Sequence, residues 1–331
     1  MSYVWSGSAL GYMYSVRGKL YVQPTPWRTR GSDIGYPDYQ TPRGSTVADR
    51  ILRNPARGVR WALPLLLAII AIVSTATWLS AHDFWLVPGA FPFKEGDVVE
   101  VLGQSGTRFP MSTGATQPAR VLRAVMIGAD GESAISDLSV RGTSLVLRAK
   151  PTAPGQRIVA LDLQTRTSKA TAASFLSYLK LEGAPAAAAE VERSGVLKGI
   201  DSVSRTDAKY AKTLVDVGST GPRVYSRSSG QALEFIPQED AATIAVGGTL
   251  GLRLVFKGKG VAGVVAHAGI APRDSTAKPD SDIELTSDAT GVMKLPVSAT
   301  GLWNIRATHV VQTSPSAWET HWTTFVFRVG K

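Results

Sequence analysis

The sequence predicts a mainly β chain: two β-sandwich domains with a short helical insertion, preceded by a signal peptide or membrane anchor helix. Three observations predict it. From residue 82 onward, short runs of β-favouring residues recur with Gly, Pro, Asp and Ser turns between them. Helical signals are confined to residues 172–217, and the stretch from Trp61 to Ala81 carries no charge at all.

Residues 1–60 are rich in Gly, Ser, Pro, Tyr and Arg and show neither a sustained helical period nor a strand alternation, so they read as disordered or as a misassigned N-terminal extension. The Trp61–Ala81 segment follows Arg53, Arg57 and Arg60 and precedes Asp83, which places its N-terminal side in the cytoplasm and the rest of the chain outside. Its apolar centre, Leu65–Val73, gives way to Ser74-Thr75-Ala76-Thr77 and the small pair Ser80-Ala81, a pattern that suits a signal peptide cut after Ala81. The same stretch is long enough to span a bilayer uncleaved. Membrane contact is therefore expected only through residues 61–81, and only if they are retained.

An N-terminal β-rich domain is expected over residues 82–230. Its strands are read at Asp97–Leu102, Ala119–Ile127, Ser144–Arg148 and Arg157–Leu163. Three helices follow: Ala172–Leu181, an Ala-rich piece opened by Pro185, and Thr206–Val217 ending at Gly218. A C-terminal β-sandwich is expected over residues 231–331. In Leu250–Lys257 one face is Leu, Leu, Leu, Phe and the other Gly, Arg, Val, Lys, the signature of a half-buried strand. Ser287–Gly291 reads as a turn, with strands at Val292–Val297, Leu302–Val311 and Thr320–Val329. An immunoglobulin-like or transthyretin-like sandwich is the economical reading of such a pattern.

Composition excludes several function classes. The chain has no cysteine, which removes thiol catalysis, iron–sulfur clusters and Cys-based zinc sites. The net charge of +10 is concentrated at the start, where residues 1–60 hold nine basic and three acidic residues. That leaves 27 basic against 23 acidic residues over 61–331, with no basic run interleaved with aromatics, so nucleic acid is not expected as a partner. No His-Glu-x-x-His, Gly-x-Ser-x-Gly or phosphate-loop motif is present, and the chain reads as non-enzymatic.

Metal chemistry is the alternative. A cut after Ala81 would expose His82, whose free amine and imidazole have ordinary pKa values near ~8 and ~6.5 and close a small chelate ring on Cu(II) or Ni(II). Strand parity puts His309 on a face with Trp303, Ile305 and Ala307, and His321 on a face with Glu319, Phe325 and Phe327. If the last two strands form one hairpin, His309 faces His321, and Glu319 adds a carboxylate. Rim histidines with satisfied hydrogen bonds are the bland reading of the same residues. His267 has no partner visible in sequence and reads as structural; Asp83, Glu95 and Asp97 could serve a metal or be solvated loop charge, and the second is the preferred reading.

Several blocks carry a family resemblance: Ala81-His82-Asp83-Phe84-Trp85-Leu86-Val87-Pro88, Phe175–Leu179 with Glu182-Gly183, Tyr210–Val215 with Gly218, Leu233–Pro237, Asp288–Gly291, Gly301-Leu302-Trp303, Ala307-Thr308-His309 and Trp318-Glu319. Their order over residues 81–330 resembles the exported domain-of-unknown-function family formerly labelled as a NikM-like periplasmic nickel-uptake component. That resemblance implies an extracytoplasmic two-domain β-sandwich protein of the periplasm or cell surface, tied to uptake or handling of nickel, cobalt or a related transition metal beside an envelope metal transporter; the terminal His on a β-sandwich is also similar to periplasmic copper carriers, which adds copper to the expected metals. It carries His82 and His309 over as ligands, whereas at position 321 the pattern has an aromatic. The competing expectation is a metal-free cell-envelope binding or scaffold module.

Overall fold

The computed structural model describes residues 11–16, 19–24, 83–181, 184–272 and 282–330. His82 and the Trp61–Ala81 segment lie outside the described residues. Among those described, no helix is long and apolar enough to cross a membrane. The chain divides into two compact units, Met1–Trp78 and Leu79–Lys331.

In the first unit, β1 (Gly11–Val16) pairs antiparallel with β2 (Lys19–Pro24), Tyr14 opposite Tyr21. This part of the segment expected to be disordered is therefore a hairpin. The reason is local: Tyr12, Tyr14 and Val16 on one run and Leu20 and Val22 on the other supply the aromatic and branched residues that pleated strands favour.

The second unit is mainly β, as expected. It begins with β3 (Asp83–Pro88), β4 (Val99–Gly106), β5 (Val121–Gly128), β6 (Gly131–Ala134), β7 (Asp137–Arg141), β8 (Ser144–Ala149), β9 (Gly155–Leu163) and β10 (Arg166–Thr171). Helices α1 (Ala172–Leu181) and α2 (Pro185–Ser194) follow. Pro185 opens α2 where a missing N–H is harmless, and Gly195 closes it in the left-handed region at φ 63°.

The third expected helix is instead a strand. Residues 206–217 belong to β11 (Ser202–Val217), which pairs with β10 and β9 on one side and runs parallel to the last strand of the chain on the other. Ala, Lys and Leu at near-helical spacing suggested a helix. Tertiary pairing overrides that weak preference, because a strand here satisfies both backbone edges at once.

The chain continues through β12 (Leu233–Pro237), β13 (Thr249–Phe256), β14 (Lys259–Gly260), β15 (Val265–Ile270), β16 (Ile283–Thr286), β17 (Val292–Pro296), β18 (Gly301–Ser314) and β19 (Ala317–Val329). The expected turn at Ser287–Gly291 is built by Asp288, whose Oδ1 accepts from Thr290 N–H and Val292 N–H. The 230/231 boundary falls between β11 and β12.

Three layers result. A nine-stranded sheet runs β16-β15-β18-β19-β11-β9-β5-β6, with β10 also on β11. Against one face lies the sheet of β12, β13, β14 and β17; against the other lies β3-β4-β8-β7. Alternate residues of the central strands serve opposite cores: Val125, Ile127, Ile158 and Ala160 pack with Leu233, Phe235 and Leu252, whereas Met126, Val159 and Leu161 pack with Phe84, Leu86 and Leu147. Burial on both faces explains the unbroken apolar runs of β5 and β9.

Beyond the end of the β3 sheet, α1 and α2 cover part of the same face. Phe175, Tyr178 and Leu179 pack there with Val203, Trp318 and Trp322. That arrangement leaves an opening between the helices and β3.

Candidate functional site

The β18–β19 hairpin forms as expected and sets His309 directly opposite His321. Both imidazoles lie on the face covered by β13, where Phe256 meets each edge-on, with ring centroids 4.8 Å from His309 and 4.7 Å from His321. The Tyr210 ring stacks on His321 at 6.1 Å. Burial pulls the pKa of His309 below its usual value, and the neighbouring His321 lowers it further. Burial also lowers His321, outweighing the hydrogen bond and charge of Glu319. Both rings are thus held neutral, the form that ligates metals.

The hydrogen bonds of His321 fix its tautomer. Its Nε2 lies 3.0 Å from Glu319 Oε2, and its Nδ1 lies 3.3 Å from the Tyr210 hydroxyl. A carboxylate only accepts, so Nε2–H donates to Glu319 and Nδ1 accepts from Tyr210. The phenol keeps its proton: desolvation, with Asp162 and Glu319 adding to it, pushes Tyr210 up to about 12. Both nitrogens of His321 are therefore engaged. Glu319 stands as the carboxylate that orients a histidine, and Nδ1 is the lone pair a cation would claim from Tyr210. Among the described residues no group of three His, Cys, Asp or Glu side chains is placed to hold a metal ion. Borderline metals suit the donor chemistry of the pair, provided Tyr210 yields its place.

The opposite face of the same strands carries a charged cleft of about 730 Å³. Its floor takes Lys209 from β11, Trp322 and Thr324 from β19, Arg306 and Thr308 from β18, and His267 from β15; Lys180, Leu181 and Pro185 form one wall, and Asp83, Phe84 and Thr107 the other. The polar residues arise where β18 and β19 alternate, since their apolar neighbours point to the other core. Arg306 holds two carboxylates, Asp83 at 3.2 Å from Nε and Asp282 at 2.5 Å from Nη2. Burial raises the pKa of Asp83 against the lowering effect of Arg306 and Lys209.

Asp83 corrects an expectation: it is a strand residue locked to Arg306 and not a solvated loop charge. His267, which shows no partner in sequence, lies opposite Arg306 in the β15–β18 register and on the cleft face. The structure separates Asp83, the residue after His82, from His309 and His321 by the thickness of the sheet. Arg306, Lys209 and Trp322 escaped sequence reasoning because no motif links them; polar alternation within β18 was the available signal.

Residues 79–311 match the profile of DUF4198, a domain of unknown function. The chain belongs to the DUF4198 family. No curated protein matches it. Solved structures to which it is similar include trypsin-activated α2-macroglobulin from Escherichia coli, at 10% identity and TM-score 0.21, covering 75% of this chain and 15% of that one. The D0-D1 domain of intimin matches at 12% identity and TM-score 0.17 over 73% of this chain and 97% of its own. The Escherichia coli adhesin FdeC matches at 15% identity and TM-score 0.21, over 76% and 66%. The chain thus spans about 15% of the length of the α2-macroglobulin it matches. Similarity at this level adds nothing on activity.

Proposed function

We propose that this DUF4198 protein is an exported, non-enzymatic transition-metal binding or uptake accessory protein, taking nickel, cobalt or copper. The observation that carries the reading is the opposition of two neutral imidazoles, His309 and His321, across one ladder position with Glu319 bonded to the second. His309 and the Nδ1 of His321 are the side-chain donors, and Glu319 orients His321. The sequence resemblance names His82 as well, but its neighbour Asp83 lies across the sheet from the pair, so His82 is not counted among the donors of this site. The bound metal would supply cargo and no chemistry of its own. Export rests on the uncharged Trp61–Ala81 segment.

Calorimetric titration of the protein with Ni(II), Co(II) and Cu(II), repeated on His309→Ala, His321→Ala and His82→Ala, tests this. We expect uptake that His309→Ala and His321→Ala each weaken by at least about tenfold, the loss of one ligand. Absence of uptake, or uptake indifferent to both substitutions, overturns the reading. A second reading, a metal-free cell-envelope binding or scaffold module, is favoured by one observation: both His321 nitrogens already have partners. Under it, His309→Ala affects stability alone.

A further inference from the structure

The cleft on the other face of β18 and β19 is a site in its own right, and it goes beyond the metal reading. Its volume lies in the range of small-molecule sites. Its most distinctive feature is a guanidinium held between two carboxylates. Asp83 Oδ2 meets Arg306 Nε at 3.2 Å, and Asp282 Oδ2 meets Nη2 at 2.5 Å. Each carboxylate thus faces Arg306 through one oxygen, and a carboxylate has about four acceptor positions. The three side chains line the cleft and stay 20% (Asp83), 35% (Asp282) and 33% (Arg306) exposed, so a ligand in the cleft reaches them. Thr107, an exposed hydroxyl at the same rim, both donates and accepts.

The charges of the lining cancel. Asp83 and Asp282 stand against Arg306 and Lys209, and the Lys209 charge already acts on Asp83. Lys180 on the helical wall is paired with Glu192. A ligand with net charge would bring in a charge that no opposite one is left to meet, and desolvating such a charge is costly. A wholly apolar ligand would strip water from Asp83, Asp282 and Arg306 and replace none of its hydrogen bonds. A neutral molecule rich in hydroxyls avoids both costs. The helical wall adds carbon surface: Leu181 is 75% exposed, with Pro185 exposed near it in sequence.

We infer that this cleft binds a neutral saccharide, its neighbouring hydroxyls bridging the Asp83, Arg306 and Asp282 cluster and a C–H face of the ring lying on Leu181. Planar carboxylate and guanidinium groups grip two hydroxyls at a time, and hydrogen bonds to charged groups are the strong ones.

Maltose, cellobiose and diacetylchitobiose are the neutral probes, and digalacturonate and spermidine the charged ones. Each is titrated calorimetrically into the full chain and into Asp282→Asn, Leu181→Ser and, as a control away from the cleft, Glu190→Gln. We expect at least one neutral disaccharide to bind with a dissociation constant below about 1 mM, and more tightly than either charged probe. Asp282→Asn weakens that disaccharide about tenfold, the effect of one hydrogen bond to a charged group. The same substitution leaves the cleft with an excess positive charge, so digalacturonate binds it more tightly than it binds wild type, a change that a merely structural role for Asp282 would not produce. Leu181→Ser weakens the disaccharide about threefold, and Glu190→Gln leaves it unchanged. Urea unfolding alongside checks that Asp282→Asn, at an exposed position, keeps the fold. No neutral disaccharide bound by about 10 mM overturns the proposal, as does equal affinity in Asp282→Asn or tighter binding of digalacturonate or spermidine to wild type. None of these outcomes bears on metal uptake at His309 and His321.

Discussion

Lys212 and Glu234 form a fully buried ion pair, and its removal offers the sharpest test of how the layers are held together. Lys212 projects from β11 toward β12 on the smaller sheet; Nζ lies 2.8 Å from Glu234 Oε2, and each side chain is 1% exposed. Glu234 also accepts from the Ser229 N–H at 2.9 Å and from the hydroxyls of Ser228 and Ser229. Desolvation pushes the Glu234 pKa up, but the Lys212 charge and these hydrogen bonds outweigh it and hold it below the usual carboxylate range. Burial pulls Lys212 down, against the pull of Glu234. At neutral pH the pair is ionised, because both partners' bonds fit the charged forms.

Lys212→Met strands a buried carboxylate and is expected to destabilise by about 3–5 kcal/mol. For a unit of this size that lowers Tm by roughly 6–20 °C. Lys212→Met with Glu234→Leu removes both charges and leaves the Ser229 N–H without its acceptor, for an expected loss of about 1–3 kcal/mol. The double variant is thus more stable than the single one. Urea and thermal unfolding measure both. The pH sign follows from Glu234: a depressed folded pKa gives stability that is present above the unfolded value of about 4.5 and is lost as pH falls through the folded pKa. The advantage of wild type over the double variant should therefore shrink in acid. A single variant within about 1 kcal/mol of wild type, or a double variant worse than the single, would refute the reasoning.

Two further substitutions probe the sites and the turns. Tyr210→Phe removes the O–H that occupies His321 Nδ1, so metal affinity measured by calorimetry should rise; a fall would mean that the phenol itself is a donor to the metal. Gly291→Ala should destabilise by at least about 2 kcal/mol in urea unfolding, since φ is +86° and a Cβ would meet the Leu254 carbonyl oxygen at 2.5 Å; a neutral result would show that the Asp288 turn rearranges freely.

What the sequence made legible were features encoded locally. Strand parity placed His309 and His321 on one face, and the hairpin put them opposite each other. Pro185 and the Ala-rich run marked α2. What it hid were features made by distant partners. β11 looks helical from Ala208 to Leu214, and only its neighbours β9, β10 and β19 make it a strand. Asp83 reads as surface charge until Arg306, more than two hundred residues later, arrives beside it. Asp83 and Arg306 are joined by no spacing a motif search recognises, because they come from different sheets.

Both candidate sites hang on the register of one hairpin. Directly opposed residues share a face, so a slip of one residue between β18 and β19 would exchange the face each side chain serves. At the turn, Ser314 pairs with Ala317; beyond it Gln312 pairs with Trp318, and Thr313 is the extra residue between them. Carried on without that bulge, the register set at the turn would bring Trp322, not His321, opposite His309. The histidine pair would be lost, and the indole of the cleft would be driven toward Phe256. Thr313, whose Oγ1 donates to the Ala317 carbonyl at 3.1 Å, is therefore the residue that lets one hairpin present imidazoles to one core and an indole to the other.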